Sequence, residues 1–498
     1  MTGEARTEIE GIAYHSQQAR KGFLFAAIRG LKSDGHRFVE DALQRGAEAV
    51  VLEEERALSR GRMIRVPNSR KALARISANF YGNPSSKVRL IGVTGTNGKT
   101  TITYLLESIF RKARHPVGVI GTINYRYGQT VFPAPNTTPE SLDLQRILGE
   151  MVEEGITHVI MEVSSHGLDL DRVHGCQFDG AIFTNLTTDH LDYHPSMDHY
   201  FESKRKLFSD YLMGSAKPRR FAVTNQDDPR GEEIVKGVTL PVHRYGLGPL
   251  CPISAEKAAS TFEGLSCQIK TPRGPLPIRS RLMGNFNLYN IMASVATGMA
   301  MNISAEILKE GIESLGGVPG RLERVENQKG IRIFVDYAHT PDALERSLAG
   351  LTSIFEEGLQ ALQRKEKILT VFGCGGDRDR TKRPLMGGVA GRWSDLAILT
   401  SDNPRTEDPL TILEAIETGL KGMGLEKWAP KAIQGWREKK GYVRIPDRRE
   451  AIRMAIRLAQ PLDVILIAGK GHEDYQIIGT KKFPFDDRVE VRKALEEV

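Results

Sequence analysis

The segment Gly95-Thr96-Asn97-Gly98-Lys99-Thr100-Thr101 carries the clearest chemistry in the chain. It follows an apolar run, Val88–Val93, and opens a stretch with helical apolar spacing, Thr100–Lys112. Glycines let backbone N–H groups approach a polyphosphate closely. A helix N-terminus adds partial positive charge there, and Lys99 adds a full one. The Thr100 hydroxyl stands where a magnesium ligand belongs in such a loop. The strict spacing places a glycine at position 93, which is Val93. Gly92 and Gly95 flank it, so the loop is a variant. Two later apolar runs end in metal-type donors, Met161-Glu162-Val163-Ser164-Ser165-His166-Gly167 and Asn185-Leu186-Thr187-Thr188-Asp189-His190. A carboxylate (Glu162) and an imidazole (His190) at strand ends can hold a hard or borderline cation beside a nucleotide. Taken singly, each is as well explained by a structural role.

A second group of residues suits an amino acid. Cys374-Gly375-Gly376-Asp377-Arg378-Asp379, Asp402-Asn403-Pro404-Arg405 and Gly469-Lys470-Gly471-His472-Glu473-Asp474 all follow apolar runs. Arginine grips a carboxylate with two parallel hydrogen bonds, and Asp or Glu accepts from an ammonium. The same residues would also serve as a surface ion-pair network. Asn136-Thr137-Thr138-Pro139 offers polar donors in a loop, or a plain helix cap. Arg172 can pair with a phosphate or carboxylate, or lie on the surface. Asn285 and Asn287, in Gly284-Asn285-Phe286-Asn287, can bond a base edge or shape a turn. Arg321 can reach a terminal phosphate, and Asp336, ahead of Ala338-His339-Thr340, suits a ribose hydroxyl. By residue type alone, Lys204 is a solvated surface lysine.

Together these motifs resemble the Mur ligase family, from Ser16 to Glu473 and in order. The phosphate loop alone is shared with folylpolyglutamate synthase. The resemblance implies an ATP-dependent ligase that forms an amide through an acyl phosphate, with Lys99, Lys204, Glu162, His190 and Arg321 as catalytic residues. It implies Mg²⁺, as two ions, held by Thr100, Glu162, His190 and an N-carboxylated Lys204, the carbamate coming from CO₂. Lys206 is the nearest decoy. ATP is assigned to Gly95–Thr101, Asn285, Asn287, Asp336 and His339. A UDP-muramoyl dipeptide is assigned to Ser16, Leu31, Lys32, Ser33, Asn136, Thr137, Thr138, Ser164 and Arg172. Diaminopimelate is assigned to Arg378, Asp402, Asn403, Pro404, Arg405, Gly469 and Glu473. The acceptor choice has a physical logic: diaminopimelate has a second carboxylate that lysine lacks, and a buried arginine is penalised without it. The sequence departs from the family at His15 and Gln17, where Asp and Arg flank the serine, and at Leu170, where a polar residue is usual. A lysine-adding ligase, a folylpolyglutamate synthase and a nucleotide-binding scaffold are the alternatives.

The elements that must position these residues read as α/β. Runs at Ala49–Glu53, Thr157–Val163, Gly180–Thr184, Arg220–Val223, Ile331–Val335, Ile368–Phe372, Leu396–Thr400 and Val464–Ala468 read as strands. Ser69–Phe80 reads as a helix. Strands alternating with helices imply a mostly parallel, covered sheet. With 498 residues, about three domains are expected. Turn-rich stretches divide the chain into residues 1–86, 87–318 and 319–498; the resemblance implies that these are an N-terminal UDP-substrate domain, a central phosphate-loop ATPase domain and a Rossmann-like, amino-acid-binding C-terminal domain. Residues 421–446, rich in Trp, Lys and Arg, read as a surface insertion. Net charge is +7 with 26% charged residues, and the basic residues are interleaved with acids, so nucleic acid is not the expected partner. Four scattered cysteines fit a reducing compartment. No signal segment or membrane span is expected; the expected protein is cytoplasmic, a monomer, and acts on small molecules.

Overall fold

In the computed structural model, residues 8–30, 33–358, 365–433 and 435–497 are described. Leu31 and Lys32, assigned above to the UDP substrate, lie outside them. The architecture is α/β throughout. Gly11–Ala13, Phe23–Ala26, Ala49–Leu52 and Arg62–Arg65 form a four-stranded parallel sheet in chain order. The helix Ser69–Phe80 packs on it. Asn68 caps that helix by accepting from the Lys71 N–H at 2.9 Å, and Leu73, Ala74, Ser77 and Ala78 form its buried stripe.

The second sheet has eight strands in the order Val242–Tyr245, Phe221–Asn225, Gly180–Phe183, Arg89–Thr94, His158–Glu162, Val117–Ile120, Asn124–Tyr127, Thr130–Pro133. The last two pair antiparallel and the others parallel. Arg89–Thr94 is buried on both faces, between an apolar cluster that includes the helix Lys99–Lys112 and a second that includes Leu144–Met151 and Phe201–Leu212. That explains its unbroken apolar run. The phosphate loop leaves the C-terminal end of this central strand, where open α/β sheets bind ligands. A three-stranded antiparallel sheet (Ser254–Thr261, Gly264–Lys270, Leu276–Ser280) covers one side.

The third sheet has seven strands: Glu323–Val325, Arg332–Asp336, Val464–Ala468, Ile368–Phe372, Leu396–Leu399, Gly441–Arg444 and Glu426–Trp428. The last two overturn the reading of 421–446 as a surface insertion. Gly441–Arg444 pairs parallel with Leu396–Leu399, Tyr442 and Val443 are buried, and Trp436 is 5% exposed within the core. A four-residue strand ringed by lysines and arginines carries too short an apolar signal to outweigh its flanks.

Several histidines are buried uncharged, which makes the fold acid-sensitive. His158 is stacked on His115 at 4.2 Å. Burial, then the His115 charge, pushes it from 6.5 down to about 4. Between those values the unfolded chain binds a proton that the folded chain refuses, so stability falls as pH falls from 6.5 towards 4. The urea midpoint is expected to drop between pH 7.5 and pH 5, and His158→Gln is expected to flatten that dependence. Equal slopes in the two proteins would refute the assignment.

Candidate active site

The phosphate loop is glycine-built for a reason visible at two positions. Gly95 has φ +143°, and a Cβ there would fall 1.8 Å from the Thr184 hydroxyl oxygen. Gly98 has φ +88°, and its Cβ would fall 2.4 Å from Oδ1 of Asn290. Larger residues would open the loop. Lys99 curls back, donating to the carbonyls of Gly95 (2.9 Å) and Thr96 (2.8 Å). Burial, partly offset by Glu162 and Asp189, holds its ammonium below the ordinary lysine value.

Thr100 donates to Glu162 Oε2 at 3.1 Å, and Arg321 Nη2, arriving from the third unit, donates to the Thr100 hydroxyl at 3.1 Å. Glu162 also accepts from the Thr122 N–H and hydroxyl, each at 2.9 Å. Thr100 and Glu162 thus form a pair of hard oxygen donors suited to magnesium, which takes its remaining ligands from water and phosphate. Among the described residues, no three His, Cys, Asp or Glu side chains gather closely enough to hold a metal by themselves. His190 has φ +55° and sits edge-on to His166, with ring centroids 4.9 Å apart. Burial drives it down to about 3, so its imidazole is neutral and able to act as a ligand.

Lys204 is not a surface lysine. It lies on the helix Met197–Lys206 and is 1% exposed. Its ammonium nitrogen is 4.3 Å from the centre of the Tyr200 ring and 2.9 Å from the Gly95 carbonyl, the same oxygen that Lys99 uses. Burial first, and the Lys99 charge second, lower it well below the ordinary lysine value. A neutral buried amine is what carboxylation by CO₂ requires. Lys206 instead pairs with Asp169 at 3.3 Å with its side chain 36% exposed. The helix continues as a π-helical turn, Leu207–Leu212.

The polar loop before the helix Ser141–Glu153 is not that helix's cap. Glu140 occupies the cap position, and its side chain makes no capping bond to the helix N–H groups. Thr138 instead donates to the Glu162 carbonyl at 3.0 Å and accepts from the Ser164 N–H at 2.9 Å. Thr137 meets the Thr122 hydroxyl at 3.0 Å, and Ser164 caps Ser165–Asp169. Arg172 donates to the Thr138 carbonyl at 3.0 Å and pairs with Glu140 at 2.9 Å, while its buried Nε has no hydrogen-bond partner among the described residues. Glu140 also pairs with Arg70 of the first unit at 3.0 Å. Ser16 is buried beside Asp41, and its neighbours Tyr14 and His15 line the cleft instead. Ser33 is exposed, and its carbonyl accepts from the Gly30 N–H.

The remaining ATP-type residues divide. Both ends of the Asn287 amide are engaged: it donates to the Met283 carbonyl at 2.7 Å and accepts from Asn290 at 2.9 Å. Asn285 is exposed. Asp336 is buried and accepts from the N–H groups of Leu322 (2.6 Å) and Ala338 (2.9 Å). Burial nevertheless raises it above the ordinary carboxylate value. His339 Nδ1 donates to the Tyr337 carbonyl at 2.7 Å. Asp342, which no sequence motif marks, accepts through its carboxylate from Asn97 Nδ2 (2.9 Å) and from Thr187 (3.0 Å), tying the third unit to the phosphate loop. No local signal marks such a contact, 245 residues apart in sequence.

The amino-acid motifs converge. Arg405, with φ +51°, donates to the Gly376 carbonyl at 2.8 Å and faces the cleft. Asn403 donates to Glu473 at 2.9 Å, and Gly469 approaches Asp402. The hairpin Tyr475–Ile478/Lys481–Pro484 braces Asp402 and Asn403. Gln476 donates to the Asp402 carbonyl at 2.7 Å, and the Ile477 N–H donates to Asn403 Oδ1 at 2.9 Å. Pro404 is buried, whereas Arg378 is exposed on the cleft wall. A single cleft of about 2430 Å³ is lined by Tyr14, Arg172, His190, His339, Arg378 and Arg405, and so touches all three units.

Comparison with known proteins agrees with this geometry. The Mur ligase middle domain matches residues 93–298, the Mur ligase glutamate ligase domain matches 320–471, and the Mur ligase catalytic domain matches 8–81. A relative from Geobacter metallireducens is 50% identical over 498 residues, covering 100% of this chain and 96% of its own length. The chain belongs to the Mur ligase family. That relative is named UDP-N-acetylmuramoyl-L-alanyl-D-glutamate–2,6-diaminopimelate ligase. A solved structure of the same name is 32% identical, with a TM-score of 0.67, and covers 98% of this chain and 95% of its own. A Mur ligase from Thermotoga maritima solved with ADP is 20% identical, with a TM-score of 0.63 and coverage of 98% and 97%, and shares the fold. Among the described residues of this Mur ligase, no helix is long and apolar enough to cross a membrane.

Proposed function

We propose that the protein is a cytoplasmic, monomeric, ATP-dependent ligase that joins meso-diaminopimelate to UDP-N-acetylmuramoyl-L-alanyl-D-glutamate in peptidoglycan precursor synthesis. The observation that carries this reading is the single cleft on which Arg172, the His190 loop and Arg405 all open. The name of the 50% identical relative supports the same acceptor.

In this reading the D-glutamate γ-carboxylate attacks the γ-phosphorus of ATP, ADP leaves, and an acyl phosphate forms. The diaminopimelate amine then attacks the acyl carbon, and the tetrahedral intermediate expels phosphate. Lys99 swings from its loop carbonyls onto the phosphates, and Arg321, already at Thr100, meets the developing charge. Asp336 and His339 border the nucleotide's sugar. Asn136, Thr137, Ser164 and Arg172 hold the muramoyl peptide. Asp402 and Glu473 receive the acceptor's ammonium, and Arg378 and Arg405 its carboxylates. Magnesium would be held by Thr100, Glu162, His190 and carboxylated Lys204, where it would screen the repulsion between a triphosphate and an attacking carboxylate. No side chain needs to become covalently attached to substrate, so the protein contributes positioning and electrostatics.

A substrate-matrix assay tests this. Phosphate release is expected only with ATP, the UDP-dipeptide and diaminopimelate together. Lysine outperforming diaminopimelate would overturn the acceptor. Folate-dependent ADP formation would favour a folylpolyglutamate synthase, and nucleotide binding without turnover a scaffold.

A further inference from the structure

The mechanism above gives no task to the buried cation Lys470. The Lys470 side chain has no exposed surface. Its Nζ lies 3.1 Å from Glu473 Oε2, 3.2 Å from Asn403 Oδ1 and 3.6 Å from Asp402 Oδ1. The glycines on either side fix its place. Gly469 has φ +116° and Gly471 φ +53°, and a Cβ on Gly471 would fall 2.7 Å from the Cβ of Tyr337. Asn403 closes the network by donating to Glu473 at 2.9 Å. A buried ammonium persists only where nearby acceptors replace its water. Here two carboxylates face one ammonium. One acceptor is left over: the buried Oδ1 of Asp402 has no hydrogen-bond partner among the described residues, since 3.6 Å to Lys470 is an ion pair and not a hydrogen bond. An unpaired buried acceptor costs stability unless a ligand's donor meets it.

We propose that Lys470 is a positioning residue for the acceptor. It ties the Asp402-Asn403 loop to Glu473, so that the spare oxygen of Asp402 and the Glu473 carboxylate present one anionic face to the ammonium of an incoming amino acid. This rests on the acceptor reading above. Without Lys470 the two carboxylates repel each other, the loops part, and the ammonium loses its seat. The nucleotide contacts at Lys99, Thr100 and Arg321 do not involve this cluster.

Lys470→Met and Lys470→Gln test it, with KM measured separately for ATP and for diaminopimelate. The acceptor KM is expected to rise tenfold or more, with the ATP KM within twofold of the unaltered protein. Unchanged acceptor KM, or a parallel rise in both with a collapsed melting temperature, overturns the positioning role. Failure of both variants to fold also overturns it, in favour of a purely structural lysine. The unaltered protein in the same assay separates the two possible failures. If it shows no diaminopimelate-dependent turnover, the acceptor reading falls and takes this proposal with it. If it turns over and the variants bind acceptor normally, Lys470 alone is misassigned.

Discussion

Lys99→Ala is expected to lower acceptor-dependent phosphate release by about three orders of magnitude, the scale at which single cationic groups act on phosphoryl transfer. The reason lies in the loop geometry. The ammonium is held by two backbone carbonyls at 2.8–2.9 Å, neither of which it needs once phosphates arrive. It is thus a charge stored, half-buried, beside the phosphate site. Alanine removes that charge and leaves the loop's glycine-dependent path intact, so the far-ultraviolet circular dichroism spectrum should not change. A folded Lys99→Ala protein with unaltered turnover would remove the basis for assigning phosphoryl transfer to this loop.

Lys204→Arg is expected to cost about two to three orders of magnitude in turnover, as for loss of one preorganised electrostatic group. Arginine keeps a positive charge but cannot become a carbamate. In its place a permanent guanidinium would share the Gly95 carbonyl with Lys99, putting two like charges on one oxygen. The unaltered lysine avoids this because burial and Lys99 both favour its neutral form. Depleting CO₂ from the buffer should therefore slow the unaltered protein, and bicarbonate should restore it, whereas Lys204→Arg should respond to neither. A bicarbonate-sensitive Lys204→Arg protein would place the carbamate elsewhere.

What could be read from the sequence divides along physical lines. The phosphate loop was legible because its parts are adjacent: an apolar strand, glycines, Lys-Thr and a helix. The strands Ile368–Phe372 and Val464–Ala468 were legible to the residue, since strands buried on both faces leave unbroken apolar runs. The burial of Lys204 was half legible. Tyr200 and Lys204 are four apart and share a helix face with Phe201, which marks that face as inward. Long-range pairings were not legible. Nothing near Asp342 announces Asn97, nothing in Tyr475–Ile478 announces that it braces Asp402, and a strand as short as Gly441–Arg444 is outvoted by its charged flanks. Thr138 is a related case. Its sequence suits a cap, but the neighbouring strand end offers Glu162 and Ser164 backbone groups that it serves instead.

Arg321 belongs to the module that carries the proposed acceptor pocket, yet its guanidinium already touches Thr100 of another module. Undocking that module would withdraw the cation and the pocket in the same movement. ATP bound to an undocked molecule would then be spared from idle cleavage, and the cell would spend a phosphoanhydride bond only when a peptide bond can be made.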